Sequence, residues 1–350
     1  MRAMILKEFR ELRRDHRTLA MIVVMPLLLL VIFGYAANFH VDKLKIALIG
    51  TNADSIASAL PALFNATEVR TTGTRADAEL LLREDKVDLA VLTDQQPLLA
   101  LVDGSNLFAA QSSVSALNRM GDKVQTEVLF NPDLKTSWVM VPAIIGLILT
   151  FIGTIVTSIG LVRERETGTL EQLAVMPIRP STVILGKITP YFVLASFDMA
   201  VITALGILLF SVPFEGSPFL FVLGAALFLF VVLGLGVFIS TVSKTTGQAI
   251  QLAFFFLLPQ ILLSGMIFPL DAMAAGVRWI GYLLPLTYFT MISQGVMLRD
   301  APIQSLWMPL LVLFGMAVIV FTGATLRFRR DLAPSRHGED HTGKHEKAGS

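Results

Sequence analysis

Long apolar runs set the pattern of this chain. They lie at about Thr18–Ala37, Trp138–Leu161, Ile188–Val212, Phe219–Val242, Gln248–Phe268 and Leu306–Leu326. A helix needs about 20 mostly apolar residues to cross the hydrocarbon core of a bilayer, so these six runs read as six spans. The pattern changes between the first and second. Leu44–Gly50, Val87–Thr93 and Leu98–Asp103 read as buried strands. Asp54–Phe64 and Arg75–Glu84 have helical spacing, and Asn106–Phe130 reads as a long polar-faced helix leading back to the membrane. The predicted fold is therefore an all-α polytopic membrane protein with six transmembrane helices and a small α/β extracytoplasmic domain at 38–136.

The ends are polar. Residues 1–17 place Met4, Ile5, Phe9 and Leu12 on one side and charges elsewhere. This suits an amphipathic helix lying in the membrane interface, and a simple topology signal is the alternative. The run 18–37 exceeds the 7–15 residues of a signal-peptide core, which argues against cleavage. The tail, 327–350, is predicted to be disordered. Its His337, His341 and His345 stand four residues apart, which makes them weak candidates for a metal.

Composition agrees with the pattern. The chain is 54% hydrophobic and 16% charged, against about 25% charged for soluble domains, and its mean hydropathy is +0.69. It has no cysteine, which excludes disulfides and thiolate metal sites. A net charge of +1 gives no sign of a nucleic-acid partner.

The placement of basic residues orients the chain. Six precede the first run (Arg2 to Arg17). Arg163, Arg165, Arg179 and Lys187 follow the second, Lys244 follows the fourth, and six lie in the tail. The short connections of the other side hold only Arg278 and Arg299. Both termini are predicted to be cytoplasmic, in a multi-pass inner-membrane protein.

The most informative polar stretch is Arg163-Glu164-Arg165-Glu166-Thr167-Gly168-Thr169-Leu170-Glu171-Gln172-Leu173, followed by Pro177 and Pro180. The charges suit a helix end emerging into water. Thr169 is placed to cap a following short helix, with Glu171 in its first turn, and the prolines stop it. An ordinary charged loop needs neither the cap nor the stops.

This motif, E-R-E-x-G-T-L-E-x-L-x-x-x-P, resembles the cytoplasmic loop of ABC-2-type transporter permeases of the bacterial multidrug branch. Ser264-Gly265-Met266-Ile267-Phe268-Pro269 and Leu284-Pro285-Leu286-Thr287-Tyr288 are similar to the same family. The resemblance implies an export permease driven by a separate ATP-binding subunit, with a second permease copy or homologue and membrane lipid as further partners. Glu164, Arg165, Glu166, Gly168, Thr169, Leu170 and Glu171 would form or position the coupling element within the loop 163–187, with 243–247 as a minor contact. Ser264, Gly265, Phe268, Pro269 and Pro285 would belong to an outer re-entrant gate within 269–301. ATP and Mg would sit on the partner and no cofactor on this chain. No G-x-x-x-x-G-K-[ST] loop occurs, since Gly186-Lys187 is followed by Ile188. The permease is expected to be non-catalytic and to move an amphipathic substrate such as a drug, a lipid or a lipid-linked molecule.

Asp198 is the one acidic residue well inside a predicted span. A charge at that depth is costly and marks a candidate substrate contact or proton relay; a carboxylate paired to a neighbouring helix is the plainer reading. Three other classes compete with an ATP-driven permease. An intramembrane enzyme would show a cluster of ionisable residues at common depth, where Asp198 stands almost alone. An ion-coupled secondary transporter commonly shows inverted repeats with paired broken helices, which the sequence lacks. An anchor for an extracytoplasmic sensor would not need the capped loop.

Overall fold

The computed structural model describes Leu27 and residues 43–58, 60–167 and 180–331. The segment 1–17, the first predicted span apart from Leu27, the loop residues Gly168 to Glu171 and the tail with its histidines lie outside the described residues.

The α/β domain is a five-stranded sheet of order β2-β1-β3-β4-β5. Its strands are β1 (Leu44–Ile49), β2 (Phe64–Arg70), β3 (Leu89–Leu92), β4 (Leu98–Asp103) and β5 (Val124–Leu129). β1 is parallel to β2 and β3, β4 is antiparallel to β3, and β5 is parallel to β4. The central strands are short continuous apolar runs because helices cover both faces. Leu44, Ile46, Leu48, Val91 and Val102 face α1 (Ala53–Ser58) and α3 (Leu107–Asn118). Ala47, Ile49, Ala90 and Leu101 face α2 (Arg75–Arg83). A capping box between Thr74 and Asp77 starts α2.

Two expectations for this domain are corrected. The helix expected over Asp54–Phe64 stops at Ser58, and Phe64 opens β2. The long helix expected over Asn106–Phe130 ends at Asn118. Gly121, at φ +62°, turns the chain, and Val124–Leu129 then pairs with β4. β2 and β5 are the two edge strands and are largely exposed or half-buried along their length, so neither carries a clean apolar alternation.

Five helices among the described residues are long and apolar enough to cross a membrane. They are α4 (Thr136–Glu166), α5 (Pro180–Phe210, apolar from Leu185), α6 (Pro218–Val242), α7 (Thr246–Leu263) and α10 (Ile303–Asp331, apolar to Arg327). They coincide with the second to sixth predicted spans within a few residues. The chain is thus a multi-pass membrane protein with a small α/β segment near its N-terminus.

α6 is the most buried of the five. Small residues bring it onto α4. A Cβ on Gly236 would stand 2.9 Å from the Thr154 carbonyl oxygen and 2.9 Å from the Thr157 Cβ. Between α7 and α10 the chain forms a 3-10 turn (Leu270–Ala272), the short helix α8 (Ala275–Gly281) and α9 (Pro285–Arg299). α9 packs against α4 and α6 along most of its length, with Phe289 stacked on Phe228 at 4.5 Å.

Candidate functional site

Arg163-Glu164-Arg165-Glu166 forms the last turn of α4, at the end of the bundle away from the α/β domain. Thr167 closes the helix; its hydroxyl donates to the carbonyls of Arg163 (3.0 Å) and Glu164 (3.1 Å). Arg165 Nη1 donates to the carbonyls of Thr241 (3.4 Å) and Ser243 (3.2 Å), at the C-terminus of α6. A cation there satisfies orphan carbonyls and complements the helix dipole. Glu166 does the converse for α7. Its carboxylate accepts from the Thr246 amide and the Thr246 hydroxyl, each at 3.0 Å. Thr245 caps the same helix, accepting from the Gln248 amide at 3.3 Å, and Gln248 Oε1 accepts from the Lys244 amide at 3.0 Å. Glu164 pairs with Lys187 of α5.

One helix turn therefore fastens α4 to α5, to the end of α6 and to the start of α7. The resemblance implies only a minor contact with the ATP-binding subunit for 243–247. The structure joins this loop to the motif through Arg165 and Glu166, a link between residues 76 to 80 positions apart. The signal missed was charge at matching helix ends: Arg165 opposite a C-terminus, Glu166 opposite an N-terminus.

At the other end, Ser264 is the C-cap of α7 and is buried. Gly265 has φ +86°, a conformation that favours glycine. Phe268 is buried with Leu262, Leu263, Met273 and Val277. Pro269 precedes the 3-10 turn, and Pro285 opens α9 as its first residue. Gly281 ends α8 where a Cβ would come within 2.5 Å of the Leu263 carbonyl oxygen. The predicted gate residues thus gather at one break in the helical bundle.

The α/β domain is fastened at the same end by charges that the sequence reading passed over. Arg299, at the end of α9, lies 2.8 Å from Asp85 and 3.6 Å from Asp103 through Nη1, and reaches the Ser105 hydroxyl at 3.4 Å. Arg83 pairs with Asp300 at 2.8 Å, and Lys45 with Asp271 at 2.8 Å. Burial alone would lower the Arg299 pKa; Asp85 and Asp103 more than offset it, and the guanidinium stays charged. Burial raises the Asp103 carboxyl to about 6, with Arg299 pulling it down and Asp85 pushing it up. These pairs join residues more than 190 positions apart, beyond the reach of local pattern.

Asp198 is half-exposed on α5 and makes no hydrogen bond or ion pair among the described residues. Leu194, Val201 and Leu205, at helical spacing from it, are exposed on the same face. No group of three or more His, Cys, Asp or Glu that could hold a metal ion occurs among the described residues.

Comparison with known proteins gives one family. The profile of ABC-2 family transporter proteins matches residues 16–326. The probable multidrug ABC transporter permease YbhR of Escherichia coli is 30% identical over 93% of this chain and 97% of its own length. The probable multidrug ABC transporter permease YbhS of the same organism is 30% identical over 95% and 97%. The inner membrane transport permease YhhJ is 36% identical over 60% of this chain and 56% of its own length.

Proposed function

The chain belongs to the ABC-2 family of transporter proteins, and from that premise we propose that it is the membrane-spanning permease of an ATP-driven exporter whose ATPase is a separate chain. The observation that carries this reading is the clasp at the end of α4. A short element following Glu166 would dock on the ATP-binding subunit. Its motion would pass through Glu164, Arg165 and Glu166 into α5, α6 and α7 together. In this scheme Gly168, Thr169, Leu170 and Glu171 make the docking contact, and Arg165 and Glu166 transmit it.

The excess of basic residues at the clasp end supports a cytoplasmic placement of that end and of both termini. The α/β domain and the break at 264–285 then lie outside the cytoplasm, with Ser264, Gly265, Phe268, Pro269 and Pro285 shaping an outer gate. Irregular backbone at membrane depth has to be buried in protein or line a cavity, and the burial of Ser264 and Phe268 supports such a role. Asp198 on an otherwise apolar, exposed face supports cover by a second permease copy or a substrate path, since a carboxylate facing lipid is costly. The permease itself is non-catalytic, with ATP and Mg on the partner. YbhR and YbhS are named as probable multidrug permeases and YhhJ as an inner membrane transport permease, which supports drug transport across an inner membrane; the substrate in this reading is amphipathic and moves outward.

The test is charge reversal in the docking element. Glu166→Lys combined with Glu171→Lys is expected to leave an inserted permease that no longer retains its ATPase in mild detergent. Undiminished association would refute the docking role.

A further inference from the structure

The end of the α/β domain away from the bundle carries a cavity of about 590 Å³. The sheet explains where it lies. β1 crosses to β2 through α1 on one face, and β2 returns to β3 through α2 on the other. The winding therefore reverses between β1 and β3, which are parallel neighbours. In open α/β sheets, ligands bind outside the carboxyl ends of the strands at such a reversal. The cavity is in that place. Asn52 and Ser55 line it from the segment after β1, and Thr93 and Gln96 from the segment after β3. The bundle contacts are at the other end, with Lys45 near the start of β1 and Asp103 at the end of the antiparallel β4. The six residues of β1, at about 3.3 Å each, put roughly 20 Å between the two.

The two segments are fastened to each other. The Thr51 amide and hydroxyl both donate to the Asp94 carboxylate at 2.7 Å, and the Asn52 side chain donates to the Thr93 carbonyl at 3.5 Å. Gly50, at φ +127°, permits this approach, since a Cβ there would stand 2.5 Å from Thr93 Oγ1. The lining is polar and balanced in charge. Asn52 and Gln96 are exposed carboxamides, each with a donor and an acceptor side by side. The Gln96 side chain has no hydrogen-bond partner among the described residues, which leaves both of its groups free for a ligand. The lining charges are one of each sign, Asp122 and Lys123, and Ile56, Pro97 and Leu98 supply an apolar wall.

We propose that this crevice binds a small uncharged, polyhydroxylated molecule of the saccharide class. A hydroxyl both donates and accepts, and the carboxamides of Asn52 and Gln96 offer both partners. The C–H face of a sugar ring matches the apolar wall. The volume falls within the range of about 300–1,000 Å³ for small-molecule pockets. At its distance from the bundle, the crevice is a recognition site and not a stretch of the transport path. Its exposure outside the cytoplasm rests on the permease reading; binding itself does not.

The test uses the full-length chain purified in mild detergent with no ATPase present, so its failure is separate from failure of the permease reading. Saturation-transfer NMR is recorded with glucose, N-acetylglucosamine, maltose and trehalose, and with glutamate and choline as charged controls. Saturable binding of at least one saccharide, one per chain, is expected, with competition from neither control. Asn52→Ala combined with Gln96→Ala, both at exposed positions, is expected to weaken that binding at least tenfold. Absence of saturable binding by all four saccharides, equal binding of either control, or wild-type affinity in the double variant would overturn the proposal.

Discussion

Arg299 ties the end of α9 to the α/β domain through Asp85, Asp103 and Ser105. It is tolerated at 7% exposure because two carboxylates and a hydroxyl receive it. Its replacement by Met leaves Asp103, at 1% exposure, without its cation. Breaking a buried pair from one side costs roughly 3–5 kcal/mol, and the low end applies because Asp85 stays solvated. Arg299→Met is therefore expected to lower the melting temperature of the detergent-purified chain by several degrees; an unchanged melting curve would contradict the latch. Asp103 adds a pH signature. Its carboxyl is raised from 3.8 to about 6 by burial, so the folded state holds the proton more tightly than the unfolded one. The stability this contributes is fully present below the unfolded pKa and is lost as pH rises through about 6. Asp103→Asn is expected to flatten that part of the stability–pH curve between pH 4 and 6, read by thermal unfolding at fixed pH steps.

At the scale of elements, the helix ends decide the behaviour. Glu166 serves the first turn of α7 as a capping carboxylate, a role typically worth about 0.5–2 kcal/mol. Glu166→Gln keeps the shape and loses the charge. Faster hydrogen exchange at the Thr246 amide is expected, with ATPase association retained and transport per ATP reduced several-fold. Unchanged exchange would mean that the clasp does not order α7. At the opposite end, Gly281→Val drives a side chain into the Leu263 carbonyl oxygen and the Leu270 side chain. Overpacking of this kind costs typically 1–3 kcal/mol, and lower yield of folded chain by gel filtration is the expected result. These elements differ in how far they were legible in the sequence. α4, α6, α7 and α10 announce themselves as uninterrupted apolar runs, because lipid selects for length and hydropathy. β1, β3 and β4 are readable as short apolar stretches between turns. β2 and β5 are not, because an edge strand whose residues are exposed or half-buried on both faces has no apolar alternation to reveal it. Of the site, the motif 163–171 was readable from charge and turn residues and 243–247 as a contact loop, whereas the pairing of Arg165 with the Thr241 and Ser243 carbonyls and of Glu166 with Thr246 emerges only when three helix ends meet.

For the whole molecule, the two ends of the bundle have different structures. One end gathers the C-terminal ends of α4 and α6, the start of α7 and Lys187 of α5 around the motif. The other carries the α/β domain, held by Arg299, Arg83 and Lys45. Helices of 31, 31 and 25 residues connect them. That arrangement suits a machine driven from one face and opening at the other, and the chain has no phosphate-cradling loop of its own to drive it. The central claim is therefore dependence on a separate ATPase. Affinity purification of the permease in mild detergent tests it most directly. The account predicts that a P-loop ATPase copurifies and that its ATP hydrolysis drives transport in reconstituted vesicles; a permease that purifies alone and transports equally well without ATP would contradict it.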